Sequence, residues 1–128
     1  MTDAILIVAG LGNDHGVSMN TAELFVPSSG LSCELPSLSD KNRQGHTVES
    51  SGLLCGGFLD VNCLLWRPDT GTWEDYLQLD VERYLHVSWT PGTDVGNYLM
   101  GGSESNRSTT LVTPEGTQEP GFQLKYDT

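Results

Sequence analysis

Basic residues are scarce in this sequence: six Lys and Arg stand against 17 Asp and Glu, for a net charge of −11. Nucleic-acid backbones are gripped by clustered cations, so this shortage excludes nucleic acid as an expected partner. The acids are scattered from Asp3 to Asp127 instead of gathered in a tail, which is the distribution of a solvated surface. Long apolar runs are missing as well. The longest, Ala4 to Ala9, falls far short of the roughly 20 residues that cross a bilayer. Asp3 precedes it, with no basic segment before and no clear cleavage site after. It reads as a strand buried on both faces, not as a membrane span or signal peptide. No membrane partner is expected; the cytoplasm is slightly favoured, and the compartment is otherwise open.

Equally absent are the Gly-x-Ser-x-Gly nucleophile turn and the Gly-x-x-x-x-Gly-Lys-Ser/Thr phosphate loop, and no Ser/His/Asp arrangement is signalled. There is no Cys-x-x-Cys pair, and Cys33, Cys55 and Cys63 leave at least one thiol unpaired. Each sits in an apolar, strand-like context, where a free thiol behaves as a small buried hydrophobe. Cys55 and Cys63 fall on the two arms of one predicted hairpin, so a cross-strand disulfide stays open until their Cα separation is known. His15 stands in a loop without a partner at metal-ligand spacing. No metal or other cofactor is expected.

What the chain does have is turns and repetition. Hydrophobic residues make up 37%, while 15 Gly and 6 Pro punctuate the sequence; short strands fit that mixture better than helices. Arg43-Gln44-Gly45-His46 returns forty residues later as Arg83-Tyr84-Leu85-His86. Leu54-Cys55-Gly56-Gly57 returns as Leu99-Met100-Gly101-Gly102, and Ile7-Val8-Ala9-Gly10 is a weaker upstream copy. Self-similarity at about 40–50 residues marks a repeat architecture.

The second unit, residues 43–79, predicts four strands: His46 to Glu49, Gly52 to Gly57, Asn62 to Trp66 and Gly71 to Tyr76. Its Pro68-Asp69-Thr70-Gly71 segment is a turn, because Pro presets φ at its first position and Gly is permissive at its last. Four short antiparallel strands of this kind make one β-propeller blade. The first unit, 1–38, predicts strands at Ile5 to Ala9, Thr21 to Pro27 and Leu31 to Leu35, and lacks an innermost strand. The third, 83–124, predicts His86 to Thr90, Tyr98 to Gly102, Thr109 to Thr113 and a last strand within Gln118 to Leu124. The expected fold is all-β, a partial propeller of four-stranded antiparallel blades. Propellers close with roughly 4–8 blades, so a piece of a larger ring is expected. An incomplete gene model or ring-completing self-association are the alternatives.

Gly56-Gly57, followed by Trp66 and Trp73 with six residues between them and preceded by Arg43 and His46, resembles the kelch repeat. The first unit departs from that pattern, with Ala9-Gly10 in place of the double glycine, Phe25 at the first aromatic position and Cys33 near the second. The third keeps Gly101-Gly102 but has Val112 two residues before its proline, where Phe25 and Trp66 stand before theirs. The resemblance implies a protein–protein interaction module that binds an unidentified protein through loops at the ends of the channel. Loops on a rigid scaffold concentrate binding residues, which makes Asn13, Asp14, His15, Asp60, Glu104, Ser105, Asn106 and Arg107 the candidate contacts.

The repeated residues read as scaffold. Gly56, Gly57, Gly101 and Gly102 allow close backbone approach, and Trp66 and Trp73 are large enough to fill the space between blades. Arg43 and Arg83 take structural places near the channel end, and His46 and His86 are equivalent scaffold positions, not a metal pair. The enzymatic alternative is a propeller domain of a secreted galactose-oxidase-like or carbohydrate-active enzyme. Asp69-Thr70-Gly71-Thr72-Trp73 is a near miss to the sialidase turn motif, and nothing in the chain resembles the BTB domain of substrate adaptors. Asn106-Arg107-Ser108 is the one N-glycosylation sequon, relevant only to a secreted protein.

Overall fold

The computed structural model describes residues 3–12, 17–39, 42–92, 94–102 and 107–125. Among these residues there is no helix, and the strands form three antiparallel sheets. Sheet 1 holds β1 (Ile5–Gly12), β2 (Val17–Val26) and β3 (Leu31–Leu35). Sheet 2 holds β4 (Thr47–Val48), β5 (Leu53–Cys55), β6 (Asn62–Arg67) and β7 (Thr72–Gln78). Sheet 3 holds β8 (Val87–Gly92), β9 (Gly96–Met100), β10 (Thr109–Val112) and β11 (Gln118–Pro120). Each sheet is a meander in which every strand pairs with its sequence neighbour. The turn before β7 closes as its composition requires: Gly71 takes φ +67° and its N–H donates to the Arg67 carbonyl at 2.8 Å.

The register repeats along with the strands. Val8 faces Ala22, Cys55 faces Cys63 and Met100 faces Thr109, each pair standing just before the glycine-bearing segment of its repeat. Side chains alternate across a pleated strand, so β5 serves two cores at once. Leu54 joins Val8, Ala22, Leu38, Leu64 and Trp73 between sheets 1 and 2. Leu53 and Cys55 join Cys63, Leu79, Leu99 and Val112 between sheets 2 and 3. Trp66 and Trp73 are directly opposed across β6 and β7, with ring centroids 5.4 Å apart. Trp73 enters the first core, and its indole N–H donates to the Pro36 carbonyl at 2.9 Å.

The structure corrects three expectations. The Ile5 to Ala9 run is buried on one face only: Val8 is buried, while Ile5 and Ile7 are 51% and 44% exposed. β1 is an edge strand whose second face has no sheet against it among the described residues. Cys33 is exposed, not buried, because β3 is the opposite edge of the same sheet. The second strand also begins earlier than its composition suggested, at Val17, since it pairs with the extended end of β1 through Gly12.

Candidate functional site

The turns that carry the diglycines and the Arg-x-x-His segments meet at one end of sheets 2 and 3, and side chains hold them there. Arg43 is 2% exposed and donates from Nη1 to the carbonyls of Gly56, at 2.6 Å, and Asn62, at 2.9 Å. Arg83, fully buried, donates from Nη1 to the equivalent carbonyls of Gly101 and Ser108 at 2.8 and 3.0 Å. A guanidinium presents its donors in a fixed planar fork, which suits it to bridge the two ends of a strand-to-strand loop. The two clamps differ in what completes them. Arg43 lies 3.2 Å from the Asp60 carboxylate, whereas Arg83 donates from Nη2 to the hydroxyls of Ser108 and Thr110 at 2.9 Å each. Burial lowers the Arg83 pKa below its ordinary value.

Asp60 therefore requires a correction. Expected as an exposed loop contact, it is only 3% exposed and lies in the Arg43 clamp, with a further bond from the Asn62 N–H at 2.9 Å. A buried carboxylate needs a cation and hydrogen bonds to offset its lost hydration, and here it has both.

The histidines couple one sheet to the next. His46 Nε2 donates to the Val8 carbonyl of sheet 1 at 2.9 Å, and His86 Nε2 lies 2.9 Å from the Thr47 hydroxyl of sheet 2. Burial lowers the pKa of His46, with Arg43 adding to the effect against the Val8 hydrogen bond. His86 is lowered to about 4 by burial, then by the positive charge of Arg83 and by His46. Both rings serve as neutral joints at neutral pH.

The glycines explain how closely the joints approach. A Cβ on Gly56 would stand 2.4 Å from the Arg83 carbonyl oxygen and 2.9 Å from the His86 ring. Its neighbour Gly57 donates its N–H to that same Arg83 carbonyl at 2.9 Å, as Gly10 does to the Arg43 carbonyl.

Cys55 and Cys63 are joined by a disulfide, with a Cα separation of 4.2 Å. They are directly opposed in the β5–β6 register, a placement in which antiparallel Cα atoms come within about 4.5 Å. Both sit in the core between sheets 2 and 3, at the place held by Val8 and Ala22 in sheet 1. The bond closes the loop that carries Gly56, Gly57 and Asp60.

Of the other expected loop contacts, Asn13, Asp14, His15, Glu104, Ser105 and Asn106 lie outside the described residues. Arg107 is exposed, and its Nε donates to the Leu124 carbonyl at 3.3 Å. The structure brings forward residues that the loop composition did not. Phe58 and Tyr84 meet edge to face with centroids 5.3 Å apart, and with Gln44, Gly45 and Leu85 they line a groove of about 430 Å³. Phe58, Leu59 and Leu85 are 47%, 66% and 69% exposed. One signal in the sequence pointed to this place: Leu85 stands where the sister turn has Gly45.

No protein-family model matches this sequence, and no curated protein shows significant similarity to it.

Proposed function

We propose that the chain is part of a kelch-type β-propeller and serves as a protein–protein interaction module without catalysis of its own. The repetition of one joint in successive sheets supports the architecture: an arginine fork across a loop, a histidine to the preceding sheet, and a glycine N–H to the next Arg-x-x-His turn. So do the outward faces of the outer sheets, where Ile5 and Ile7 on one side and Val87, Trp89 and Phe122 on the other are 44–60% exposed. Further sheets of the same kind are the natural cover for such faces.

The observation that carries the recognition reading is the contrast within the loop end. Its buried charged side chains Arg43, Arg83 and Asp60 are spent inside the clamps, and the aromatic and aliphatic ones, Phe58, Leu59 and Leu85, face outward. Exposed apolar side chains on rigid loops suit a protein partner and not a nucleic acid. Immobilised protein should retain specific partners from an extract, and copper-supplemented protein should not oxidise galactose. Oxidase turnover would overturn the reading in favour of a galactose-oxidase-like domain.

The Cys55–Cys63 disulfide bears on the compartment. Such bonds persist in oxidising environments and are rare in the cytosol, so it favours a secreted or lumenal setting over the cytoplasm. That setting is shared with the alternative reading, a secreted carbohydrate-active or oxidase domain. Among the described residues no three His, Cys, Asp or Glu side chains gather where one metal could be held. Tyr76 donates to the Pro114 carbonyl, Tyr84 packs on Phe58, and Tyr98 lies between Trp89 and Phe122.

A further inference from the structure

We propose that the groove between Phe58, Tyr84 and Leu85 is a docking site for a partner peptide segment that inserts an aliphatic or aromatic side chain flanked by Lys or Arg. The proposal rests on the protein-recognition reading above and gives it a place and a partner chemistry.

The internal repeat supplies the control. Gly45 and Leu85 hold the same position in the two Arg-x-x-His turns and share the same left-handed backbone, φ +71° and +56°. That conformation suits glycine and disfavours any residue with a Cβ. Sheet 2 uses the glycine; sheet 3 has a leucine that is 69% exposed and so gains little from core burial. Leu59 repeats the anomaly beside it, at φ +59° and 66% exposed. Strained backbone that places apolar side chains in water is a device found at binding sites.

The groove is also held in shape before any partner arrives. The Phe58 N–H donates to the Gln44 carbonyl at 2.9 Å, the Leu85 N–H to the Gly45 carbonyl at 2.8 Å, and the Leu59 N–H to Glu82 at 3.0 Å. These bonds lock the loop after β5 to both Arg-x-x-His turns, so little ordering remains to be done on binding. A preformed pocket with aromatic walls is the usual seat of an interface anchor.

Charge selects the flanks. The chain carries 17 acidic and six basic residues, and of the basic ones Arg43 and Arg83 are buried while Arg67 pairs with Glu74 at 2.8 Å. Asp60 is buried with Arg43 and Glu74 offsets Arg67, so the outer surface keeps the full acidic excess with Arg83 withdrawn from it. Glu82 accepts from the N–H of Leu59, the neighbour of Phe58. A partner's Lys or Arg is attracted by that field and by the exposed aromatic faces.

The test is a selection of displayed random peptides on the whole chain, followed by affinity measurements with the wild type, Phe58→Ser and Leu85→Gly. We expect selected peptides to share an apolar residue beside Lys or Arg. Each substitution should weaken binding at least tenfold, and added salt should weaken it further. Leu85→Gly should melt no lower than the wild type, which separates lost contact from lost folding. Peptides with acidic flanks, or peptides whose binding both variants leave unchanged, would overturn the site while leaving recognition elsewhere on the chain intact. Failure to enrich any peptide would overturn peptide docking. Failure to retain any protein from an extract would instead remove the recognition reading itself.

Discussion

Arg43–His46 and Arg83–His86 build the same turn twice, and their differences separate scaffold from surface. In both, the arginine bonds the carbonyls at the two ends of the following loop and the histidine reaches the preceding sheet. Between those fixed points the residues diverge: Gln44-Gly45 in one, Tyr84-Leu85 in the other. The clamps diverge as well, with a carboxylate in the first and hydroxyls in the second. Positions repeated in sequence carry the joint, and positions that vary carry either its charge balance or the exposed surface.

The largest effect should come from unbalancing the charged clamp. Asp60→Ala leaves the Arg43 guanidinium buried without its carboxylate, and removing one partner of a buried pair costs about 3–5 kcal/mol. Ser108→Ala in the sister clamp removes one hydroxyl, for a cost of about 1 kcal/mol. Urea denaturation of the two variants checks the ranking, and equal losses would break the distinction between the clamps.

Next is Gly56→Ala, whose Cβ meets a backbone oxygen at 2.4 Å in a left-handed residue. We expect a loss of about 3 kcal/mol, the range of overpacking added to backbone strain. Sheet 1 offers the comparison. Ala9 already occupies the equivalent place at φ +55°, so Ala9→Gly should stabilise by about 1 kcal/mol. A thermal melt that shows no difference between the two sites would mean the joint opens freely.

The histidine joint adds a pH dependence. His86 titrates near 4 when folded against an ordinary 6.5, so the unfolded chain takes up its proton first as pH falls. Stability from this group is complete above pH 6.5 and is lost progressively down to pH 4, a change on the order of 3 kcal/mol. Unfolding free energies at pH 7.5 and 4.5 should differ by that order in the wild type and by clearly less in His86→Gln.

Reduction of the Cys55–Cys63 bond, or Cys55→Ala with Cys63→Ala, releases a short loop and should cost about 2–3 kcal/mol. Melting with and without reductant checks this. Among the smallest effects on folding is Leu85→Gly, expected to stabilise by about 1 kcal/mol by relieving the left-handed leucine.

Much of the chain was legible because its signals are local. The strand positions of sheets 2 and 3 followed from apolar runs bounded by Gly, Pro and Asn. The Pro68–Gly71 turn followed from residue types whose φ preferences are intrinsic. Asp60 was not legible: it looks like a polar loop residue, and only the arrival of Arg43 from another turn buries it. The cysteines show the same limit. Their place on one hairpin was readable, but bonding depended on a register that set Cys55 directly opposite Cys63. Cys33 looked buried because its neighbours are apolar, yet β3 is an edge strand.

Composition and repetition by themselves determined the all-β character, the approximate strands and the turns, because backbone preferences act within a few residues. Tertiary structure alone decided which acid is buried, which cysteines bond, which faces stay open and where Phe58, Tyr84 and Leu85 converge. Those outcomes depend on distances between segments up to forty residues apart in the chain, and no property of a single segment encodes them.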